Sequence, residues 1–444
     1  MAEEFFLSEP RTIEETGLSL LFLGELALKT LYVAGQMSGF ELAQAMRLPF
    51  PGLVSRVIDF LKREHYCETR GAAAIGEGSY QYSVTEKGGA KAREVLWRNQ
   101  YAGPAPVPLA EYRRAVRAQG APQADVRRED LQQALSHLVV SAGMLDELGP
   151  AVVSRHSLLL YGASGNGKTA VARALASLLC SGCVWVPYAV EAGGEIILLY
   201  DDALHEPASG DPAPQNGEGP ARPARPDNRW VRIRRPTIVL GAEVRLESMN
   251  PFFDELSRCY VAPPQVKANN GVVIVDDLGR QATPAPELLN RWMIPLGTRS
   301  DYLTLRTGQK LEVPFEGILI FATHLSLAGL ADEALLRRIR HKVELRSPSF
   351  DEYRDIFRRA CDARGILYDD KSLAYLLQKY YVQPKVPLRA SHPDEILSRL
   401  ADIAQFQQKQ PSLSQDLLDL ACRTYFAQVL ERRQRTKADV EPIE

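Results

Sequence analysis

Residues Gly162 to Thr169 read Gly-Ala-Ser-Gly-Asn-Gly-Lys-Thr and fit the pattern G-x-x-x-x-G-K-[ST]. Before them, Ser157-Leu-Leu-Leu-Tyr161 has the character of a short buried strand. After them, Ala170 to Leu179 has the spacing of a helix. Strand, glycine loop and helix together aim backbone N–H groups and a helix N-terminus at phosphate oxygens. Gly162, Ala163, Ser164, Gly165, Asn166, Gly167, Lys168, Thr169 and Ala170 are therefore the candidate nucleotide-binding residues. In such a loop the lysine reaches the β- and γ-phosphates, and the Thr169 hydroxyl ligates Mg²⁺.

A second chemical signal follows about 110 residues later, in Val272-Val-Ile-Val-Asp-Asp277. Four β-branched residues ending in two acids describe a buried parallel strand with carboxylates at its C-terminal end. Ligands bind at that edge of an open α/β sheet. Asp276 is placed in the Mg²⁺ shell and Asp277 beside the attacking water. A third apolar strand, Gly317 to Ala322, ends in Thr323 and His324. Beyond it lie Arg337 and Arg338 in Asp332-Glu-Ala-Leu-Leu-Arg-Arg-Ile-Arg340, and Arg389 in Pro387-Leu-Arg-Ala-Ser-His-Pro393.

Over residues 130 to 430 this order of motifs resembles the AAA+ ATPases. Gly162–Thr169 is similar to Walker A, Val272–Asp277 to Walker B, and Phe321-Ala-Thr-His324 to sensor 1. Arg338, then Arg337, is similar to the arginine finger, and Arg389 to the sensor 2 arginine. The resemblance implies a parallel-sheet P-loop core, a helical lid, ATP and Mg²⁺ as ligands, and an arginine supplied in trans within a homo-oligomeric ring, most often a hexamer. Two arms around Thr307-Gly-Gln-Lys310 look like a hairpin preceding sensor 1. That feature resembles the clade holding MoxR-type and predicted chaperone-like bacterial ATPases. Two departures stand out. Asp277 occupies the usual glutamate position and His324 the usual asparagine position, and both point to slow turnover.

Upstream, residues 17–100 carry three helical segments, two strand-like pieces around Gly71–Ser79 and a closing helix capped by Thr85. They resemble a winged-helix domain. Pro51 is expected to open its third helix. Residues 101–128 read as a linker, 129–346 as the ATPase core, about 206–227 as a disordered insertion and 347–435 as the lid. Asp130 to Leu148 reads as one helix. Arg222, Arg225, Arg229, Arg232, Arg234 and Arg235 form a basic stretch that could line a pore or groove for an acidic partner or a nucleic acid, with a solvated strand as the plainer reading.

Composition limits the classes available. Of 444 residues, 45% are hydrophobic and 24% charged, with a formal net charge of −2, so no global pull toward nucleic acid or anionic membrane exists. No apolar run approaches spanning length, which argues against membrane insertion. The acidic N-terminus lacks the basic start of a signal peptide. Six cysteines suggest no disulfide framework, and Cys180 and Cys183 form a lone C-x-x-C. The expected protein is cytoplasmic. Its expected work is remodelling a protein client. The alternatives are a DNA-associated ATPase that contacts duplex through the winged helix, and a slow switch that controls assembly.

Overall fold

The computed structural model describes residues 7–72, 76–120, 126–208, 225–330 and 333–426. Of the expected insertion at 206–227, residues 209–224 lie outside the described residues, and its described ends form bridges, Pro207 with Ile233 and Pro226 with Ser8. The chain forms two compact units, one of residues 1–124, 179–275 and 280–319, the other of 125–178, 276–279 and 320–444.

The fold is mixed α/β, built on a parallel five-stranded sheet. In chain order its strands are β1 (Leu158–Tyr161), β2 (Thr237–Leu240), β3 (Val272–Leu278), β4 (Ile318–Thr323) and β5 (His341–Glu344). Their spatial order is β2-β3-β4-β1-β5. Thr323 and Glu344 both register with Tyr161, so β4 and β5 end level with the strand that feeds the glycine loop. Strand β3 is buried from Val272 to Val275 and breaks to partial exposure at Asp276 and full exposure at Asp277. That change of burial fits a strand with both faces covered and a polar C-terminal end.

In the second unit, α1 (Ala142–Ser154) precedes β1, α2 (Lys168–Leu179) follows the loop, and α3 (Glu333–Arg338) precedes β5. The helices α4 (Phe350–Asp362) and α5 (His392–Phe406) pack with Gln415–Tyr425 around Phe357, Leu376, Leu397 and Leu400. Ser349 and Glu352 close a reciprocal capping box at the start of α4. The single helix expected over Asp130–Leu148 is instead two, Arg128–Ala134 and α1.

The first unit holds two apolar cores. One gathers helices Leu20–Ala34, Gly39–Met46 and Ser55–Arg63 against a three-stranded antiparallel sheet of Gln36–Ser38, Tyr80–Val84 and Cys67–Ala72, with Glu86–Arg98 closing it. The strand Gln36–Ser38 escaped the sequence reading, being too short to show a period. The helix expected from Pro51 starts at Ser55, because Pro51 is extended and Gly52 has φ +78°. The second core fills a sheet ordered Phe252–Asp254, Cys259–Val261, Glu195–Leu198, Ala189–Ala192, Val107–Pro108, with two antiparallel two-stranded ribbons. One ribbon pairs Ser300–Thr304 with Lys310–Pro314, as the arms around Thr307 suggested.

Two expectations need correction here. Part of the stretch read as a linker, residues 101–128, is ordered: strand Val107–Pro108 leads into helix Leu109–Ala118, which buries Tyr112, Ala115 and Val116. The basic stretch is largely tied down. Arg229 is 1% exposed and bonded to Asp227, Glu111 and the Thr16 carbonyl. Arg234 pairs with Glu206, and Arg235 donates to the carbonyls of Asn270 and Gln119. Trp230, among these arginines in the sequence, is buried. Arg222 lies outside the described residues.

Adjacent helical glycines offer a stability test. A Cβ on Gly88 would lie 1.9 Å from the Tyr66 carbonyl oxygen, whereas one on Gly89 meets nothing closer than 3.6 Å. Gly89→Ala should stabilise by up to ~1 kcal/mol through helix propensity. Gly88→Ala should destabilise by about 1–3 kcal/mol because backbone must move. Urea denaturation of the two variants beside the parent reads the opposite signs.

Candidate nucleotide site

The glycine loop is shaped by main-chain contacts no larger residue allows. Gly162 has φ +135°, and a Cβ there would sit 2.4 Å from the Leu345 carbonyl oxygen, just past β5. Gly165 has φ +81°, and its Cβ would sit 2.7 Å from Ser391 Oγ. Asn166 Nδ2 donates to the same Leu345 carbonyl at 3.1 Å, while its Oδ1 is buried without a partner. Lys168, 7% exposed, lies at the start of α2 and donates from Nζ to the carbonyls of Gly162 and Ala163, both at 2.9 Å.

Thr169 and Asp276 meet directly. Thr169 Oγ1 donates to Asp276 Oδ1 at 3.0 Å, and the same oxygen accepts from the Asp277 amide. Two neighbouring ligands of an octahedral Mg²⁺ with bonds of ~2.1 Å stand about 3 Å apart. A hydroxyl and a carboxylate oxygen at this separation are the hard donors Mg²⁺ takes, so the pair fits that ion. Asp277 has φ +47°, the left-handed region that a residue with a Cβ enters at some cost, and its side chain is exposed.

The other expected residues fall around this loop to differing degrees. Thr323 is fully buried; its hydroxyl donates to the Leu278 carbonyl at 2.5 Å and accepts from the Leu325 amide. That hydroxyl holds the ends of β3 and β4 together, which leaves His324 as the polar side chain offered after β4. His324 Nδ1 is buried with no partner. Arg389 lies three residues before α5 and donates to Ser347 Oγ at 2.8 Å. Its Cβ is 3.5 Å from the position a Gly165 Cβ would take, and the Ser391 amide donates to the Gly165 carbonyl at 2.8 Å. Arg337 and Arg338, in the last turn of α3, are both exposed and turned to solvent.

Sequence reasoning missed Ser391 and Ser347. Neither sits in a recognisable pattern; they matter because the chain returns to the loop after about 180 to 230 residues. Behind Ser391, His392 Nδ1 meets the Tyr381 hydroxyl at 3.0 Å, and that hydroxyl meets Tyr353 at 2.7 Å. Burial, with Arg389 nearby, pushes His392 down from 6.5 to about 4. Cys180 and Cys183 form no disulfide, and no group of three metal-ligating His, Cys, Asp or Glu occurs among the described residues. Nor is any described helix long and apolar enough to cross a membrane.

A family model described as "Domain of unknown function (DUF8689)" matches residues 349–424, the helical segment holding α4 and α5. No curated protein matches the chain. Among solved structures the chain is similar to NtrX from Brucella abortus in complex with ADP, at 15% identity and a TM-score of 0.39. That match covers 74% of this chain and 64% of NtrX, so the chain spans a little under two thirds of that relative. It is also similar to a mutant RuvB from Thermotoga maritima, at 13% identity and a TM-score of 0.36, over 69% of this chain and 73% of RuvB. With TM-scores below 0.5, the reading of this chain rests on its own geometry.

Two outcomes test that geometry. Gly165→Ala should weaken ATP binding about tenfold, since a left-handed residue with a Cβ costs roughly 1–2 kcal/mol. Adding Ser391→Ala should recover part of the loss by removing the 2.7 Å clash, which a double-mutant cycle on nucleotide affinity reads. For His392 the folded pKa lies below the unfolded value, so the unfolded chain binds more protons between them. Its contribution to stability is complete above about 6.5 and is lost as pH falls toward 4. Denaturation midpoints of His392→Gln should therefore fall less steeply than those of the parent across that window.

Proposed function

We propose that this chain is an AAA+ ATPase that binds ATP with Mg²⁺ and hydrolyses it slowly. The observation that carries the reading is the 3.0 Å contact of Thr169 with Asp276, at the carboxyl edge of a parallel sheet ordered β2-β3-β4-β1-β5. Lys168 would turn from the loop carbonyls to the β- and γ-phosphates, and the loop amides would cradle them. Mg²⁺, held by Thr169 and Asp276, would neutralise charge on the phosphate oxygens. Asp277 would accept a proton from the attacking water, and His324 would hydrogen-bond the γ-phosphate or that water. Arg389 would sense the nucleotide from the lid side. Arg338, with Arg337 as second choice, would reach the γ-phosphoryl group of an adjacent copy in a ring. The left-handed, exposed setting of the short Asp277 side chain favours slow turnover.

The N-terminal core is read as a winged helix that docks protein rather than duplex. Three of its cations are engaged within the chain: Lys62 lies over Tyr82, Lys87 over Tyr66, and Arg70 pairs with Glu68, while Arg56 and Arg63 are exposed. A duplex reader would instead hold cations out toward phosphates. The work is read as remodelling a protein client.

Steady-state phosphate release is the test. Lys168→Ala should abolish nucleotide binding and turnover. Arg338→Ala should keep binding and lose turnover by roughly a thousandfold. Mixing the two variants should restore some activity, because each complements the other across a subunit boundary. Micromolar ATP binding with no turnover in the parent protein would overturn the hydrolase reading in favour of a switch.

A further inference from the structure

Cys180 and Cys183 lie outside the nucleotide chemistry, and they stand apart from the other cysteines. Of the six, Cys67, Cys259, Cys361 and Cys422 are buried, while Cys180 and Cys183 are partly open to solvent. Burial pushes the Cys67 thiol up to about 11 and those of Cys361 and Cys422 up to about 12, which keeps them protonated and inert. The two thiols that a reagent can reach are therefore the two that stand three residues apart. Ser181 and Gly182 between them are exposed, and a Cβ on Gly182 would meet nothing within 4 Å.

Both cysteines bear on one short stretch, residues 234–237. Cys183 stands opposite Arg234 in the antiparallel ribbon of Cys183–Pro187 with Trp230–Arg234. The Arg235 amide donates to the Gly182 carbonyl at 3.1 Å. Cys180 Sγ donates to the Pro236 carbonyl at 3.4 Å and accepts from the Thr237 hydroxyl at 3.2 Å. Gly182, third of the four residues from Cys180 to Cys183, has φ +91°, the left-handed backbone that a reversing turn takes at that place. Such a turn brings its end Cα atoms within about 7 Å, inside the reach of a disulfide. The thiols also differ. Cys180 has its proton engaged on a carbonyl, which suits it to the second of two attacks and Cys183 to the first. Residues directly opposite in an antiparallel ladder share a face, so the Arg234 side chain stands beside Cys183. Its ion pair with Glu206 is exposed on both sides, and such a pair yields readily to another anion.

We propose that Cys180 and Cys183 form a thiol–disulfide exchange site whose substrate is a small anionic disulfide. Cys183 gives its proton to solvent and its sulfur attacks one sulfur of the substrate. The substrate S–S bond breaks, and the departing thiolate takes a proton from solvent. Cys180 then loses its proton and attacks the Cys183 sulfur of the mixed disulfide. That bond breaks, and the second thiolate departs and is protonated. Two cysteine thiols are oxidised to one disulfide, and one small disulfide is reduced to two thiols. Closure takes Cys180 Sγ away from Thr237, so the redox state is written where α2 ends and β2 begins. The site stands independently of the ATPase reading.

The test incubates the reduced full chain in glutathione buffers of set potential, blocks remaining thiols with N-ethylmaleimide and maps the peptides by mass. A Cys180–Cys183 disulfide should form with oxidised glutathione and reopen with reduced glutathione, the four buried cysteines staying thiols throughout. Cys180→Ser should hold glutathione on Cys183 as a lasting mixed disulfide, and Cys183→Ser should react roughly tenfold more slowly at Cys180. Thr237→Val removes a hydroxyl that bonds the reduced sulfur, so it should favour the disulfide by about three- to tenfold in the exchange equilibrium. Thr237→Ser keeps that hydroxyl and should match the parent. At low salt, oxidised glutathione, an anion, should react severalfold faster than cystamine, a cation, and Arg234→Ala should erase the difference. The proposal falls if excess oxidised glutathione leaves both thiols unchanged, or if the parent accumulates glutathione on Cys183 without closing the ring. It falls too if all six cysteines react at one rate, or if the two probes react alike in the parent.

Discussion

Close approach of main chain to main chain is the constraint on which the candidate nucleotide site depends. The Leu345 carbonyl lies where a Gly162 side chain would begin, and it also accepts from Asn166. The Gly165 carbonyl accepts from the Ser391 amide. These contacts set the loop between the end of β5 and the segment entering α5. A side chain at Gly162 or Gly165 would push one of them away, and the loop amides would then lose the geometry that phosphate binding needs.

From that seat the chemistry follows. Helix α2 starts where the loop ends, which puts Thr169 against Asp276 at 3.0 Å. Strand β3 brings Asp276 to the sheet edge, and the Thr323 hydroxyl ties β4 to the end of β3. The C-terminal helices reach the same place, because Ser391 lies next to His392, whose ring meets the hydroxyl pair of Tyr381 and Tyr353. A continuous run of contacts thus joins the loop to a buried aromatic cluster. Arg337, Arg338 and Arg340 are exposed, and no described carboxylate pairs with them.

Much of the candidate site was legible in the sequence, because it depends on short-range spacing. Glycine, lysine and threonine at fixed intervals between an apolar strand and a helix admit few readings. Two acids at the end of a β-branched run admit few as well. The basic stretch around Arg229 read less well. Counting cations along the chain cannot show that Glu111 and the Thr16 carbonyl, more than a hundred residues earlier, meet the Arg229 guanidinium. The stretch after Gly103, rich in proline and glycine, looked like a linker because composition does not reveal that Tyr112 and Val116 have a core to enter.

By itself the sequence determined the glycine loop between strand and helix, the acidic strand, the run of C-terminal helices and the order in which they occur, since local periodicity and turn chemistry act over a few residues. Only the tertiary structure decided which residues close on the loop. It brought Ser391 and Ser347 to Gly165 and Arg389, left His324 Nδ1 without a partner, and placed His156 against Arg340. Those pairings join residues 42 to 226 positions apart. Their partners are chosen by the packing of whole strands and helices, which no local pattern encodes.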